Sequence, residues 1–246
     1  MGRTTVIIII YGLAAAGANL LGGLFVSSRK LGQTTLRYLI ALGAGFMLAA
    51  VFLKIVPETI EQWPGSPLVP MMWLLAGYLL IQFVEHTVAP HFHFGEETHE
   101  EAMLEHHAAM AGVSALMVHT FFDGVAIAAG FIVSPSVGLL IFMAVLLHKI
   151  PDGFTISSII ITSGYSKQSA LAAATALGIS TLLGFLAVHL LGGSVPYALP
   201  VSTGATLYVA ATDLMPEVNH EKGIKMAIVV FAGMGLFLLL RTIAVH

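Results

Sequence analysis

Two phrases of the same form, His-x-x-x-Asp-Gly, carry the residues of this chain that could do chemistry. One begins at His119 and the other at His148. A His and an Asp four residues apart lie on one face of an α-helix, one turn from each other. Imidazole nitrogen and carboxylate oxygen are ligands that zinc and other divalent transition metals accept. Two such helices side by side would bring four metal ligands to one point: His119, Asp123, His148 and Asp152.

A simpler interpretation of each phrase is a hydrogen-bonded cluster that only holds membrane helices together. The phrase occurs twice, however, and each copy ends in a glycine, Gly124 and Gly153. Glycine lets helices approach closely inside a membrane, so we expect these two to bring the two phrases together. The duplication therefore favours a metal site.

The composition places both phrases in a membrane. Hydrophobic residues make up 57% of the 246 residues and charged residues only 9%, whereas a soluble domain carries about 25% charged residues. We therefore predict an integral membrane protein. The absence of cysteine excludes thiolate ligands, and a net charge of −3 gives no reason to expect a nucleic acid partner.

Eight apolar runs are long enough to cross a bilayer as helices, which takes about 20 residues. Turn-forming Pro, Gly and Ser residues separate several of them. The sequence thus predicts an all-α protein with a single transmembrane domain over residues 1–246. The predicted spans lie roughly at 4–27, 35–56, 68–89, 108–133, 136–162, 168–191, 198–217 and 223–244.

The basic residues predict the orientation, because Lys and Arg are enriched in cytoplasmic loops. One side of the predicted membrane holds only Arg3 and Arg241. The other side holds Arg29, Lys30, Arg37, Lys167, Lys222 and Lys225. We therefore expect a protein of the cell membrane with both termini on the outer side.

This orientation puts the longest polar segment, residues 90–107, in the cytoplasm, and Glu85 and His86 at the end of span 3 are expected to join it. The segment is rich in His and Glu. It is either a solvated acidic linker or a loop that collects or senses metal. The candidate ligands are His91, His93, His99, His106 and His107.

Spans 2 and 7 resemble each other weakly and run in opposite directions. Pro57 and Glu58 near the end of span 2 match Pro216 and Glu217 in span 7, and Gly45 matches Gly204 in the same register. Inverted repeats of this kind are typical of secondary transporters.

The whole chain resembles the ZIP (Zrt-, Irt-like) metal transporters. The resemblance is carried by the eight spans, the His-bearing loop after span 3, and the two His-x-x-x-acid-Gly phrases, of which the second contains Pro151. The span 7 segment from Leu207 to Glu217 is also similar to that family. The resemblance implies three, two and three spans arranged as an inverted repeat, with the transport site between spans 4 and 5 and with metal moving from outside to cytoplasm.

Many members of that family hold a second metal beside the first. The positions that would supply its ligands here are Thr120, Lys149 and, by the alignment around Gly178, Thr181. Threonine is a poor ligand and lysine is a cation. We therefore predict one metal, with the Lys149 ammonium at the place of the second. The alternative for Lys149 is that it extends to a water-filled cavity.

Four other polar residues are weaker candidates for the route of the metal. Glu58 ends span 2 on the outer side and could attract cations there. Asp213, Glu217 and His220 lie towards the cytoplasmic end of span 7 and could form an exit relay. Ordinary interfacial charge is the alternative for Glu58 and Glu217.

The leading hypothesis is a secondary transporter, not an enzyme, that imports zinc, with iron, manganese or cadmium as other substrates. Many small residues in the spans are compatible with a homodimer. A zinc-dependent lipid hydrolase inside the membrane is the first alternative, but catalytic zinc usually has three protein ligands and an open position. A metal sensor that does not transport is the second.

Overall fold

The computed structural model describes residues 3–28, 33–63, 65–88, 106–191, 195–220 and 224–244, and all regular structure in these ranges is helical. Two stretches contain a short π-helical segment, π1 and π2, between α-helices. The elements in chain order are α1 (Arg3–Ser28), α2 (Gln33–Ala50), π1 (Val51–Ile55), α3 (Val56–Glu61), α4 (Leu68–Val88), α5 (His106–Val133), α6 (Pro135–Thr162), α7 (Lys167–Leu191), α8 (Val195–Tyr208), π2 (Val209–Leu214), α9 (Met215–His220) and α10 (Ile224–Ala244).

The described helices expose large apolar side chains and bury a small set of charged side chains in a mainly apolar interior. Large apolar side chains such as Leu68, Phe83 and Phe231 are exposed, at 65%, 66% and 67% of their surface. Charged side chains, among them Asp123 and Lys149, are buried. Six helices in the described ranges are long and apolar enough to cross a membrane. The protein is therefore an all-α, multi-pass membrane protein, as predicted.

Helix α6 shows how local sequence sets the ends of these helices. The Ser134 side chain accepts a hydrogen bond from the backbone amide of Val137 at 3.2 Å, and Pro135 occupies the first helical position. Both are favoured at helix starts. The helix continues through Pro151 and ends before Gly164, whose φ of +83° suits glycine.

Each π-helical segment lies just before one of the two prolines that match between spans 2 and 7. Pro57 follows π1 closely and Pro216 follows π2 closely. Proline lacks an amide hydrogen and clashes with the carbonyl four residues earlier. A π-turn widens the helix locally, so each segment absorbs the disruption without ending the helical stretch.

Glycines mark the closest approaches between helices, and those at the two phrases contact outer helices rather than each other. A Cβ added at Gly153 of α6 would lie 1.9 Å from the backbone oxygen of Asn19 in α1. A Cβ added at Gly124 of α5 would lie 1.9 Å from the backbone oxygen of Thr181 in α7. The expectation that these glycines let spans 4 and 5 approach each other was therefore wrong, because each supports packing against a different helix.

Each of these contacts is reciprocal. Gly22 of α1 packs against Ile150 of α6, and Gly184 of α7 packs against Phe121 of α5. The remaining helices pair in the same way, α2 with α10 through Gly45 and Gly233, and α4 with α8 through Gly77 and Gly204. Helices α1 and α7 thus lie against the two helices that carry the phrases.

Two glycines of α10 provide a test of this packing. A Cβ at Gly233 would lie 2.2 Å from the backbone oxygen of Leu42, whereas a Cβ at Gly235 would meet nothing within 4 Å. We expect Gly233→Ala to lower the free energy of unfolding by about 1–3 kcal/mol, the usual cost of overpacking. Gly235→Ala is the matched control and should leave thermal denaturation in detergent unchanged or slightly raised. Equal effects of the two substitutions would contradict this account.

Candidate metal centre

Four buried side chains from α5 and α6 meet at one point inside the bundle. They are His119, Asp123, His148 and Asp152, and one ligand atom from each lies within 4.8 Å of the others. Their exposed fractions are 0–2%. The helical spacing within each phrase places His and Asp one turn apart, and the contact between α5 and α6 brings the two phrases to the same depth.

The carboxylate of Asp123 lies at the middle of this group. Its Oδ2 atom is 3.1 Å from Nε2 of His119 and 3.3 Å from Nε2 of His148. Oδ2 of Asp152 is farther from the same two nitrogens, at 3.7 and 3.9 Å. The two imidazoles and the two carboxylates thus converge on a common point.

Hydrogen bonding fixes which nitrogen His148 presents to the group. Its Nδ1 atom lies 2.9 Å from the backbone oxygen of Ala144. A carbonyl oxygen only accepts, so Nδ1 carries the hydrogen, and in the neutral ring Nε2 presents a lone pair towards Asp123. This is the tautomer that a metal-binding imidazole needs.

Two members of the group make no hydrogen bond with any described residue. They are the ring nitrogens of His119 and both carboxylate oxygens of Asp152. Buried polar atoms that lack a hydrogen bond are unfavourable. The four residues of the centre together direct two imidazole nitrogens and two carboxylate oxygens to one point. This donor set fits a divalent transition metal.

The ammonium of Lys149 is also part of this centre. It is fully buried, donates a hydrogen bond to Oδ2 of Asp123, and lies 3.5 Å from Oδ2 of Asp152. The structure thus places the ammonium beside both aspartates of the centre.

The other two candidate residues for a second metal direct their hydroxyl hydrogens into their own helices. Thr120 donates to the backbone oxygen of Met117, and Thr181 donates to that of Leu177, each at 3.1 Å. Both residues are buried. Lys149 is therefore the member of this trio whose side chain contacts the candidate site, through Asp123 and Asp152.

A cavity of about 420 Å³ lies between α4, α5 and the π2 region. Asp213 lines it together with Glu85, Tyr208 and Thr212. The Tyr208 hydroxyl donates to Oε2 of Glu85 at 2.9 Å, and the Thr212 hydroxyl donates to Oδ1 of Asp213 at 3.1 Å. The expectation that Glu85 belongs to the polar loop was wrong, because it lies within α4 and its side chain bonds to α8. Periodicity along α4 cannot indicate this bond, because its partner lies in a helix distant in the sequence.

The remaining predicted site residues lie apart from the four-residue centre or outside the described part of the chain. Glu58 pairs with Lys54 at 2.9 Å, and both side chains are about one-fifth exposed. Glu217 and His220 lie in α9, and His106 and His107 begin α5, but their side chains are outside the described residues, as are all of His91, His93 and His99.

An all-helical bundle with a lipid-facing exterior and a buried group of two histidines and two aspartates defines a membrane protein with a candidate metal site. The family described as ZIP zinc transporter matches residues 3–114 and 95–241. The chain belongs to this family, which confirms the resemblance seen in the sequence. The family is one of transporters, in agreement with the prediction that the chain is not an enzyme.

Individual relatives support the same assignment. Zinc transporter ZIP13 of Pongo abelii is 29% identical over 211 residues, which cover 78% of this chain and 61% of that protein. Zinc transporter ZIP13 of Mus musculus is 27% identical over 77% of this chain and 64% of its own length. Zinc transporter SLC39A7 of Homo sapiens is 33% identical over 120 residues, which cover 44% of this chain and 26% of that protein. The chain thus spans less than two thirds of these relatives.

The geometry predicts that Lys149 stabilises the centre when no metal is bound. In the presence of a chelator, Lys149→Gln leaves two buried carboxylates uncompensated, and breaking a buried ion pair costs about 3–5 kcal/mol. We expect a lower midpoint of thermal denaturation in detergent, restored by added zinc. Lys54→Gln removes a partly exposed pair and should cost less than about 1 kcal/mol. Equal stability of Lys149→Gln and wild type under chelation would be incompatible with two charged aspartates.

Proposed function

We propose that this protein carries a divalent transition metal, zinc first among them, across a membrane through one site formed by His119, Asp123, His148 and Asp152. The observation that carries the proposal is the convergence of four buried ligand atoms within 4.8 Å in a chain that belongs to a family of zinc transporters. Ionisable groups at membrane depth are retained where they bind substrate or move charge.

The donor set supports zinc as the substrate. Two neutral imidazole nitrogens and two carboxylate oxygens suit a tetrahedral Zn²⁺ ion. Ferrous iron, manganese and cadmium accept the same donors, and each metal binds such a site with its own affinity. A dication would also satisfy the atoms of His119 and Asp152 that make no hydrogen bond within the described structure.

The site is proposed to hold one metal rather than two. The position of a second metal would need ligands from residues 120, 149 and 181, where this chain has two threonines and a lysine. Lys149 is bonded to Asp123 and repels any additional cation. Thr120 and Thr181 use their hydroxyl hydrogens within their own helices.

The architecture is proposed to be an inverted repeat of spans 1–3 and 6–8 around spans 4 and 5. The paired glycine contacts support it, because α1 with α6 corresponds to α7 with α5, and α2 with α10 corresponds to α8 with α4. Asn19-Leu20-Leu21-Gly22 of α1 resembles Thr181-Leu182-Leu183-Gly184 of α7. The segments π1 and π2 occupy equivalent positions before aligned prolines.

The direction of transport is proposed to be inward, with both termini outside and residues 90–107 in the cytoplasm. The distribution of Lys and Arg supports this orientation. Glu58 would then attract metal at the outer side. The cavity lined by Glu85 and Asp213 would receive metal on the inner side, since these two carboxylates line it next to residues of the site helix α5.

Zinc uptake into proteoliposomes that enclose a zinc-sensitive dye tests the proposal. Wild type should show saturable uptake, and His148→Ala should lose most of it because the substitution removes a ligand whose orientation is fixed by Ala144. His189→Ala is the matched control, since His189 is an exposed histidine of α7, and it should transport normally. Tight zinc binding without uptake in wild type would favour a sensor, and lipid hydrolysis lost on chelation would favour an enzyme.

Metal stoichiometry tests the single site. Wild-type protein in detergent should bind one zinc per chain at the α5–α6 site. The number is measured by equilibrium titration, and the zinc that His148→Ala still binds is subtracted. Lys149→Glu replaces the ammonium with a carboxylate ligand and should add a second zinc. Two zinc ions at this site in wild type, or an unchanged count in Lys149→Glu, would contradict the role given to Lys149.

A further inference from the structure

Lys149 competes with a metal for the same atoms. Its ammonium bonds to Oδ2 of Asp123 and lies 3.5 Å from Oδ2 of Asp152. The first of these oxygens is also 3.1 Å from Nε2 of His119 and 3.3 Å from Nε2 of His148. A metal bound by the four ligands would therefore lie within a few ångströms of a fixed positive charge that cannot leave.

The charge of the centre depends on this lysine in both states of a transport cycle. Counting only the acidic and basic side chains, the two carboxylates of Asp123 and Asp152 and the ammonium of Lys149 give the empty centre one net negative charge. A bound dication gives one net positive charge. Without the ammonium, the loaded centre would be neutral and the empty centre would carry two negative charges.

The cost of burying net charge in apolar surroundings grows roughly as the square of the charge. Lys149 therefore makes the empty and loaded centres similarly costly to move through the bundle. Without Lys149, the loaded centre would move easily and the empty centre would be held back. A carrier must return empty after each delivery, so the slower of the two movements limits net uptake.

We propose that Lys149 is the built-in counter-cation of the empty site, and that it permits the return of the metal-free carrier. The inference rests on the proposed function, because it requires a carrier that alternates between two orientations. This charge-balancing role of Lys149 is separate from the exclusion of a second metal.

Two fluxes measured in the same proteoliposomes separate this role from metal binding. Net uptake is measured with radioactive zinc outside metal-free vesicles and requires the empty carrier to return. Exchange is measured with radioactive zinc outside vesicles loaded with unlabelled zinc and requires only the loaded carrier. For Lys149→Gln we expect the ratio of net uptake to exchange to fall at least about tenfold and zinc to bind about tenfold more tightly, since repulsion between ammonium and dication is removed.

Three further variants make the test specific to charge. Lys149→Arg keeps the cation and should retain a ratio near that of wild type. Lys149→Gln combined with Asp123→Asn restores the charges of both states and keeps an oxygen at position 123, so its ratio should return towards wild type despite weaker zinc binding. Lys225→Gln removes an exposed lysine at the start of α10 and should change neither flux.

The outcomes distinguish the two proposals. Absence of both net uptake and exchange in wild type would overturn the proposed function itself. Normal fluxes in wild type, with an unchanged ratio in Lys149→Gln, would overturn the role of Lys149 and leave the transporter assignment standing. If Lys149→Gln does not fold even with zinc, the double variant decides, because a ratio that stays low after its charge is restored would contradict the inference.

Discussion

The burial of two carboxylates side by side in an apolar bundle is the constraint on which the rest of this structure depends. Asp123 and Asp152 are each 1% exposed, and their mutual repulsion is not screened by water. One permanent cation, Lys149, offsets part of this charge. Two imidazoles face the same oxygens, which completes a set of groups suited to receive a second, mobile cation.

The neighbouring helices α7 and α1 support this centre, and its two glycines do not contact each other. Gly124 and Gly153 follow the two aspartates, and each lies against the backbone of a neighbouring helix, α7 or α1. The depth of the aspartates is therefore fixed by α1 and α7. A side chain at either glycine would push its helix away from α7 or α1 and shift one phrase relative to the other, so the glycines serve the site through packing.

The centre is built from two similar phrases on the neighbouring helices α5 and α6. Each phrase supplies one imidazole and one carboxylate, and two copies related by opposite direction supply the complete set. The copies are not identical, however, since Thr120 in one stands where Lys149 stands in the other. Of the three positions at which the phrases differ, this one changes the net charge of the centre, because it adds the ammonium of Lys149.

The sequence by itself determined the all-α membrane class, the family and the identity of the four clustered side chains, because composition, apolar run length and the i, i+4 spacing are local properties. Only the tertiary structure decided which helices the glycines contact, that Lys149 lies beside both aspartates, and that Glu85 bonds to Tyr208 across α4 and α8. Those facts depend on the rotation and the axial offset at which helices distant in the sequence pack against each other. Backbone contacts between helices fix that arrangement, and periodicity along a single helix carries no information about it.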